Sequence, residues 1–278
     1  MQDEHVCGNQ YSDKSDNIES PEPFLDDVTR SARLYMGDAL SIMPLLEAES
    51  VDLIFADPPY FLSNNGITCQ SGRMVSVNKG KWDESGGLES DFEFTKAWLT
   101  ECRRLLKPDG SIWISGTMHN IHVIGYALQC LDYRILNDII WYKINPPPNL
   151  SCRYFTHATE TILWAKKSKR AKHKFNYEEM KAENGGRQMQ SLWSITPPKP
   201  HEKRYGKHPT QKPEELLERI ILSSSNPGDL VMDPFAGSGT SGVAAVRLDR
   251  RYIGIELEET FLEVAKSRIM EENGFRNL

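Results

Sequence analysis

The run Val51-Asp-Leu-Ile-Phe-Ala56, followed at once by Asp57-Pro58-Pro59-Tyr60, constrains this chain more than any other stretch. Five of its first six residues are apolar, which suits a buried strand. Two prolines then end strand pairing, because proline lacks a backbone N–H and fixes φ. The residue before a proline is pushed to extended geometry, so Asp57 is presented at the strand tip. A carboxylate, two stiff residues and a ring at the carboxyl end of a strand form a rigid polar platform. Open α/β sheets bind their ligands at that end.

The rest of the chain alternates strands and helices around this strand. Arg33–Gly37 reads as a strand that ends at Asp38, with a short helix over 39–48. Phe61–Asp83 has no periodicity and carries Arg73, Lys79 and Lys81, the composition of a functional loop. Apolar spacing predicts a helix over 91–106, a strand over 111–115, a helix over 118–130 and a strand over 139–143. The loop through Asn145-Pro-Pro-Pro-Asn149 leads to a strand over 159–165, an antiparallel pair that closes one sheet edge. From His208 the alternation returns, with helices over 213–223, 240–248 and 259–272 and strands over 229–232 and 252–255.

Charge is distributed unevenly. The chain carries a net charge of −6, but residues 1–30 alone hold eight acids against two bases. They lack hydrophobic periodicity and read as a disordered acidic tail. Residues 166–212 hold thirteen Lys/Arg against four acids, a local balance of +9 that suits a polyanion-binding face or a solvated loop. Five cysteines in odd number with no CxxC pair exclude a disulfide framework or zinc site of the usual spacing and suit a reducing cytoplasm. No run approaches the roughly 20 apolar residues of a membrane span. His119, His157 and His208 share no metal-ligand spacing, so no metal is implied.

A second chemical motif is Asp233-Pro-Phe235-Ala-Gly237-Ser-Gly239-Thr-Ser-Gly242, followed by Glu256. Strand, glycine turn, helix, strand and acid form the βαβ layout for a nucleoside-type ligand, with the acid on ribose hydroxyls. NAD and S-adenosylmethionine both fit it. An acid and a bulky ring beside the turn crowd the approach of a pyrophosphate and favour a cationic ligand instead. At Asp57–Tyr60, a carboxylate and a backbone carbonyl can accept the two N–H bonds of an exocyclic base amine. They would stabilise it as it becomes tetrahedral. Tyr60 offers a face for an extruded base.

Asp57-Pro-Pro-Tyr60 together with Asp233-Pro-Phe-x-Gly-x-Gly239 resembles the amino-methylating DNA methyltransferases that use S-adenosylmethionine. The catalytic motif precedes the cofactor glycines, as in their β class. Asn145-Pro-Pro-Pro-Asn149, Arg153-Tyr-Phe, Glu160-Thr-Ile-Leu-Trp164 and His208-Pro-Thr-Gln-Lys-Pro213 look most like the HinfI-type and DpnA-type adenine-N6 enzymes of restriction–modification systems. The resemblance covers roughly residues 31–272. It implies an open, mostly parallel α/β sheet of the S-adenosylmethionine-dependent methyltransferase type with an antiparallel edge strand. A tail over 1–30 precedes a catalytic half over 31–165, a basic target-recognition insertion over 166–207 and a cofactor-binding half over 208–278.

Roles follow from the same resemblance. Asp57, Pro58, Pro59 and Tyr60 are the catalytic platform, with the Pro58 carbonyl as an acceptor. Phe235, Gly237 and Gly239 contact the cofactor, Glu256 its ribose, Asp38 its adenine and Asp233 its ammonium group, directly or through water. Thr210 and Lys212 lie near its carboxylate. Taken alone, Asp38 also suits a helix cap and Lys212 a solvated charge. Lys79, Lys81, Arg153, Arg187 and Arg204 are the DNA-contact candidates, and Trp193 reads as local core. The implied partners are double- or single-stranded DNA, a cognate restriction endonuclease and a second copy of the chain. The implied target is adenine in a short site containing GA, GATC being the first guess. Cytosine-N4 methylation is the nearest rival, a leading aspartate favouring adenine. An NAD-linked oxidoreductase or a non-catalytic nucleic-acid-binding module leaves one motif or the other unexplained.

Overall fold

The computed structural model describes residues 21–27, 32–62, 67–70, 73–76, 83–146 and 148–275. The strands are β1 (Leu25–Asp27), β2 (Ala32–Met36), β3 (Val51–Ala56), β4 (Ile67–Gln70), β5 (Arg73–Ser76), β6 (Leu106–Gly116), β7 (Arg134–Tyr142), β8 (Thr159–Lys166), β9 (Leu192–Ser194), β10 (Leu230–Asp233) and β11 (Arg251–Glu256). The helices are α1 (Ala39–Ile42), α2 (Leu88–Leu105), α3 (Ile121–Cys130), α4 (Tyr177–Glu183), α5 (Glu214–Ser224), α6 (Thr240–Arg247) and α7 (Glu259–Phe275).

Among the described residues nine strands form one sheet in the order β1-β2-β11-β10-β3-β6-β8-β7-β9. β2, β11, β10, β3 and β6 run parallel, and β8 pairs antiparallel with both β6 and β7. β3 is buried on both faces, as a central strand of a parallel sheet must be. Leu53 and Phe55 join the core under α5, α6 and α7, while Val51, Ile54 and Ala56 join the core under α1, α2 and α3. β3 continues through α2 on one face, and its neighbour β10 continues through α6 on the other. The two connections diverge from one point and leave a crevice at the tips of β3 and β10. This is the ligand-binding switch point of open α/β sheets.

Several expectations need correction. The acidic N-terminal stretch is not all tail: β1 pairs with β2, Leu25 opposite Leu34, and Phe24 packs on the core. Residues 1–20 lie outside those described. The antiparallel pair β7–β8 is present, but it does not end the sheet. β9, from the basic stretch, adds outside it in parallel, Leu192 opposite Ile140. The loop after Tyr60 contains the hairpin β4–β5, with Ile67 opposite Ser76.

The basic stretch is also less available to a partner than its charge suggests. Lys166 and Lys167 donate to the carbonyls of Ala171 and Leu106, and Lys174 pairs with Asp52 and Asp229. Arg204 pairs with Glu271, and Lys212 is buried. Residues 166–176 run along the amino-terminal edge of the parallel strands, next to Asp109, Gly110 and Asp52, at the end opposite the crevice. Trp193 is core as expected. It packs 5.9 Å from Trp113, which stacks on Trp164 at 4.8 Å.

Candidate active site

β3 delivers Asp57 to the crevice, and the turn after it is fixed from one side. The Asp83 carboxylate accepts the backbone N–H of Tyr60 and of Phe61 at 2.8 Å, and that of Leu62 at 3.2 Å. This anchor accompanies the positive φ of Phe61 (57°), a costly conformation for a bulky residue. Asn120, before α3, donates to the Pro59 carbonyl at 3.2 Å.

Asp57 belongs to a largely buried cluster of charges. Its Oδ1 accepts from Tyr60 Oη at 2.6 Å, and its Oδ2 lies 2.5 Å from Lys212 Nζ. Lys212 also donates to Tyr60 Oη at 2.9 Å and lies 3.6 Å from Glu160 Oε2. Glu160, at the start of β8, takes Lys143, the residue after β7, on its other oxygen at 2.5 Å. Its Oε2 lies 3.4 Å from both Ser115 Oγ and Tyr60 Oη. Burial raises the Asp57 carboxyl above its ordinary range; Lys212 offsets this in part and Glu160 adds to it. Burial would also raise Glu160, but Lys212 and Lys143 together hold it low. Burial would lower Lys212, and its two carboxylates outweigh that and keep it charged.

The cofactor motif meets this cluster from β10. The turn into α6 uses left-handed backbone at Gly237 (φ 53°) and Gly239 (φ 72°). A Cβ on Gly237 would stand 3.3 Å from the His208 ring, and one on Gly239 only 2.7 Å from Ala265 Cβ. Asp233 is buried and accepts from Phe235 N–H at 2.9 Å and Ser241 Oγ at 2.6 Å. Burial pushes its carboxyl up to about 7 despite those bonds. Glu256, at the tip of β11, accepts from the N–H of Gly237 at 2.7 Å and of Glu258 at 2.9 Å, and burial raises it as well. Phe235 is held edge-on by Trp98, with ring centroids 5.5 Å apart.

Two cavities open here. The first, about 240 Å³, is lined by Asp38, Asp57, Tyr60, Asp83, Asp233, Phe235, Gly237, Glu256 and Phe261, among others. The second, about 760 Å³, is lined by Lys143, Asn149, Tyr154, His157, Glu160 and Lys203, among others. Tyr60, His208, Thr210, Gln211 and Lys212 line both and form the wall between them, while Asp57, Pro58 and Pro59 line the first alone. The first cavity collects five carboxylates beside a glycine turn at which a Cβ would crowd His208 and Ala265. That donor set fits a ligand carrying an ammonium and a sulfonium charge beside ribose hydroxyls.

The family model described as DNA methylase matches residues 51–267. The chain belongs to the N6/N4 DNA methylase family. It is 53% identical over 241 residues to the type II methyltransferase M2.DpnII of Streptococcus pneumoniae, covering 86% of this chain and 90% of that protein. It is 49% identical over 250 residues to M2.MboI of Moraxella bovis, covering 90% and 92%. Among solved structures it resembles the M1.HpyAVI–SAM complex, with a TM-score of 0.65 and 30% identity over 86% of this chain and 98% of that one. The cytosine-N4-specific PvuII methyltransferase shares the fold at a TM-score of 0.70 and 20% identity, covering 89% and 92%. As a DNA methylase, the protein uses S-adenosylmethionine and acts on DNA. The oxidoreductase and the non-catalytic readings fall with that membership.

The structure brings Asp57, Pro58, Pro59, Tyr60, Thr210, Lys212, Asp233, Phe235, Gly237 and Glu256 to one crevice; Gly239 shapes the turn below it. Asp38 caps α1, its Oδ1 accepting the N–H of Leu40 and Ser41, and it also lines the first cavity. Lys212 is not a solvated charge. It is ion-paired with Asp57 at the platform, where it lines both cavities. Arg153 and Arg187 are exposed, Arg204 is tied to Glu271, and Lys79 and Lys81 lie outside the described residues. Sequence reasoning did not single out Glu160, Lys143, Asp83 or Ser115. A charge inside Thr-Glu-Thr-Ile-Leu-Trp, where a strand should be apolar, is the one available signal, and it points to Glu160.

Proposed function

We propose that the protein methylates the N6 amine of an adenine extruded from a short DNA site, in a type II restriction–modification system. The observation that carries this is the shared wall: Tyr60 and Lys212, both bonded to Asp57, stand between an acidic cavity that Asp57 lines, suited to the methyl donor, and a larger cavity suited to a base. Glu256, Asp38, Phe235 and Gly237 hold the cofactor, with Asp233 and Thr210 toward its amino-acid end. Bound S-adenosylmethionine supplies an electrophilic methyl on cationic sulfur, which the amine lone pair takes as the C–S electron pair returns to sulfur.

Asp57 and the Pro58 carbonyl accept the two amine N–H bonds. They turn the lone pair toward the methyl and stabilise the positive charge that grows on nitrogen. Tyr60 stacks on the base. The surplus amine proton leaves through Asp57 or water. No covalent enzyme intermediate is needed. The leading aspartate of Asp57-Pro-Pro-Tyr60 favours adenine over cytosine. The 143–158 loop and residues around 197–207, which line the second cavity, carry target recognition; GATC is the first site to try. A cognate endonuclease, a dimer and a cytoplasmic location complete the reading. Among the described residues no helix is long and apolar enough to cross a membrane.

The test is to incubate the protein with duplex DNA and methyl-labelled S-adenosylmethionine, then digest to nucleosides. Label in N6-methyladenosine is expected. Label in N4-methylcytosine overturns the base, and no transfer overturns the function.

A further inference from the structure

Lys212 sits between two carboxylates, and only one of them can use it during transfer. Its Nζ is 2.5 Å from Asp57 Oδ2 and 3.6 Å from Glu160 Oε2, and the three side chains are 5%, 12% and 9% exposed. While Asp57 holds that ammonium, its charge is cancelled and one of its oxygens is occupied. An amine placed there would gain positive charge beside a fixed cation, which opposes transfer. A second acceptor for Lys212 removes the conflict, and Glu160 stands a small side-chain movement away.

We propose that Glu160 is a positioning residue that draws Lys212 off Asp57 when the target amine arrives. The inference rests on the reading of Asp57 as the amine acceptor. Glu160 is held for this task from its neighbours: Lys143, just after β7, fixes its Oε1, and Ser115 of β6 reaches its Oε2. The charged and titratable groups facing it are Asp57, Tyr60, Lys143 and Lys212, and His157, Lys203 and His208 line the same cavity. Lys143 balances Glu160 in the free state, so the four charges sum to zero before the base enters. On transfer of Lys212, Asp57 regains its negative charge at the side facing the amine. No bond to carbon changes in this step; only an ion pair is exchanged.

The experiment measures single-turnover methyl transfer, enzyme in excess, for the wild type, Glu160→Gln, Glu160→Asp and Asp57→Asn across pH 5–9. Cofactor affinity and thermal melting are measured alongside. Glu160→Gln should transfer roughly 100-fold more slowly and Glu160→Asp roughly tenfold, with cofactor affinity within about threefold. Removing the Glu160 charge also makes Asp57 easier to ionise. The acid limb of the rate profile should therefore move to lower pH in Glu160→Gln, a shift that a purely structural role does not produce. A wild-type rate, an unmoved acid limb in Glu160→Gln, or equal losses in the two variants overturns the proposal. Should Glu160→Gln fail to melt cooperatively, Glu160→Asp decides: a slowed rate with cofactor affinity retained supports it, and a wild-type rate overturns it. If Asp57→Asn keeps its transfer rate, the reading of the platform has failed, and this inference with it. If Asp57→Asn loses transfer while Glu160→Gln does not, only the inference has failed.

Discussion

Asp57 meets one near partner and two from distant parts of the chain. Tyr60 comes from its own turn, Glu160 from β8, and Lys212 from 155 residues away. Asp57→Asn keeps the shape of the side chain and removes its charge. It should slow methyl transfer by roughly 10²–10³-fold while cofactor affinity changes less than about threefold, because Asp38, Phe235 and Glu256 remain. Single-turnover kinetics and calorimetric titration separate the two effects, and a loss of cofactor binding equal to the loss of rate would contradict the assignment. Truncation to Ala is a poorer probe, because it leaves the Lys212 ammonium buried without its nearest partner. Asp57–Tyr60 was legible in the sequence because its chemistry is local: an acid, two prolines and a ring adjoin at a strand end. Lys212 was named for the cofactor side, but its pairing with Asp57 and the parts of Glu160 and Lys143 were not legible, since a buried ion pair depends on strand neighbours that local pattern does not name.

Helix α6 and its turn carry two predictions at the scale of the element. Gly239 is left-handed, and a Cβ there would reach 2.9 Å from the Ala265 Cα backbone atom of α7. Gly239→Ala should therefore cost about 2–4 kcal/mol, from the left-handed conformation together with overpacking, read by denaturant unfolding. Asp233 supplies a pH dependence. Its folded-state value is raised from 3.8 to about 7, so the folded chain binds the proton more tightly than the unfolded one. The stability this contributes is fully present below about pH 4 and is lost as pH rises through about 7. Asp233→Asn removes that loss. The variant's stability relative to wild type should improve by an amount on the order of a few kcal/mol between pH 5 and pH 8, and a constant difference across that range would contradict it. Elements with strong periodicity, such as α2, α5 and β3, were legible to within a few residues. β1, β9 and α4 were missed because three-residue strands and a two-turn helix carry too little pattern. Their formation depends on edges and surfaces that other elements provide.

At the scale of the whole molecule, all the chemistry lies at the carboxyl ends of the parallel strands, and the basic stretch is divided between the two ends of the sheet. The sequence exposed the sign of that charge but not its direction. Lys166, Lys167 and Lys174 are engaged at the far end, whereas Lys203 lines the cavity beside the platform. Lys203→Gln and Arg153→Gln should each weaken DNA binding and reduce the log–log salt slope by about 0.9, while Lys169→Gln and Arg170→Gln leave both unchanged. Fluorescence titrations at several salt concentrations distinguish these outcomes, and equal effects at the two ends would contradict the division. The central claim is that Asp57–Tyr60 is where a methyl donor and an extruded adenine meet. Its most direct test is a crystal structure of the protein with duplex DNA and a non-reactive S-adenosylmethionine analogue. An adenine is expected out of the stack with its ring on Tyr60 and its N6 within about 3.2 Å of both Asp57 and the Pro58 carbonyl. The analogue should lie across Phe235 and Glu256. A cytosine in that notch, or a base bound away from Asp57, would contradict it.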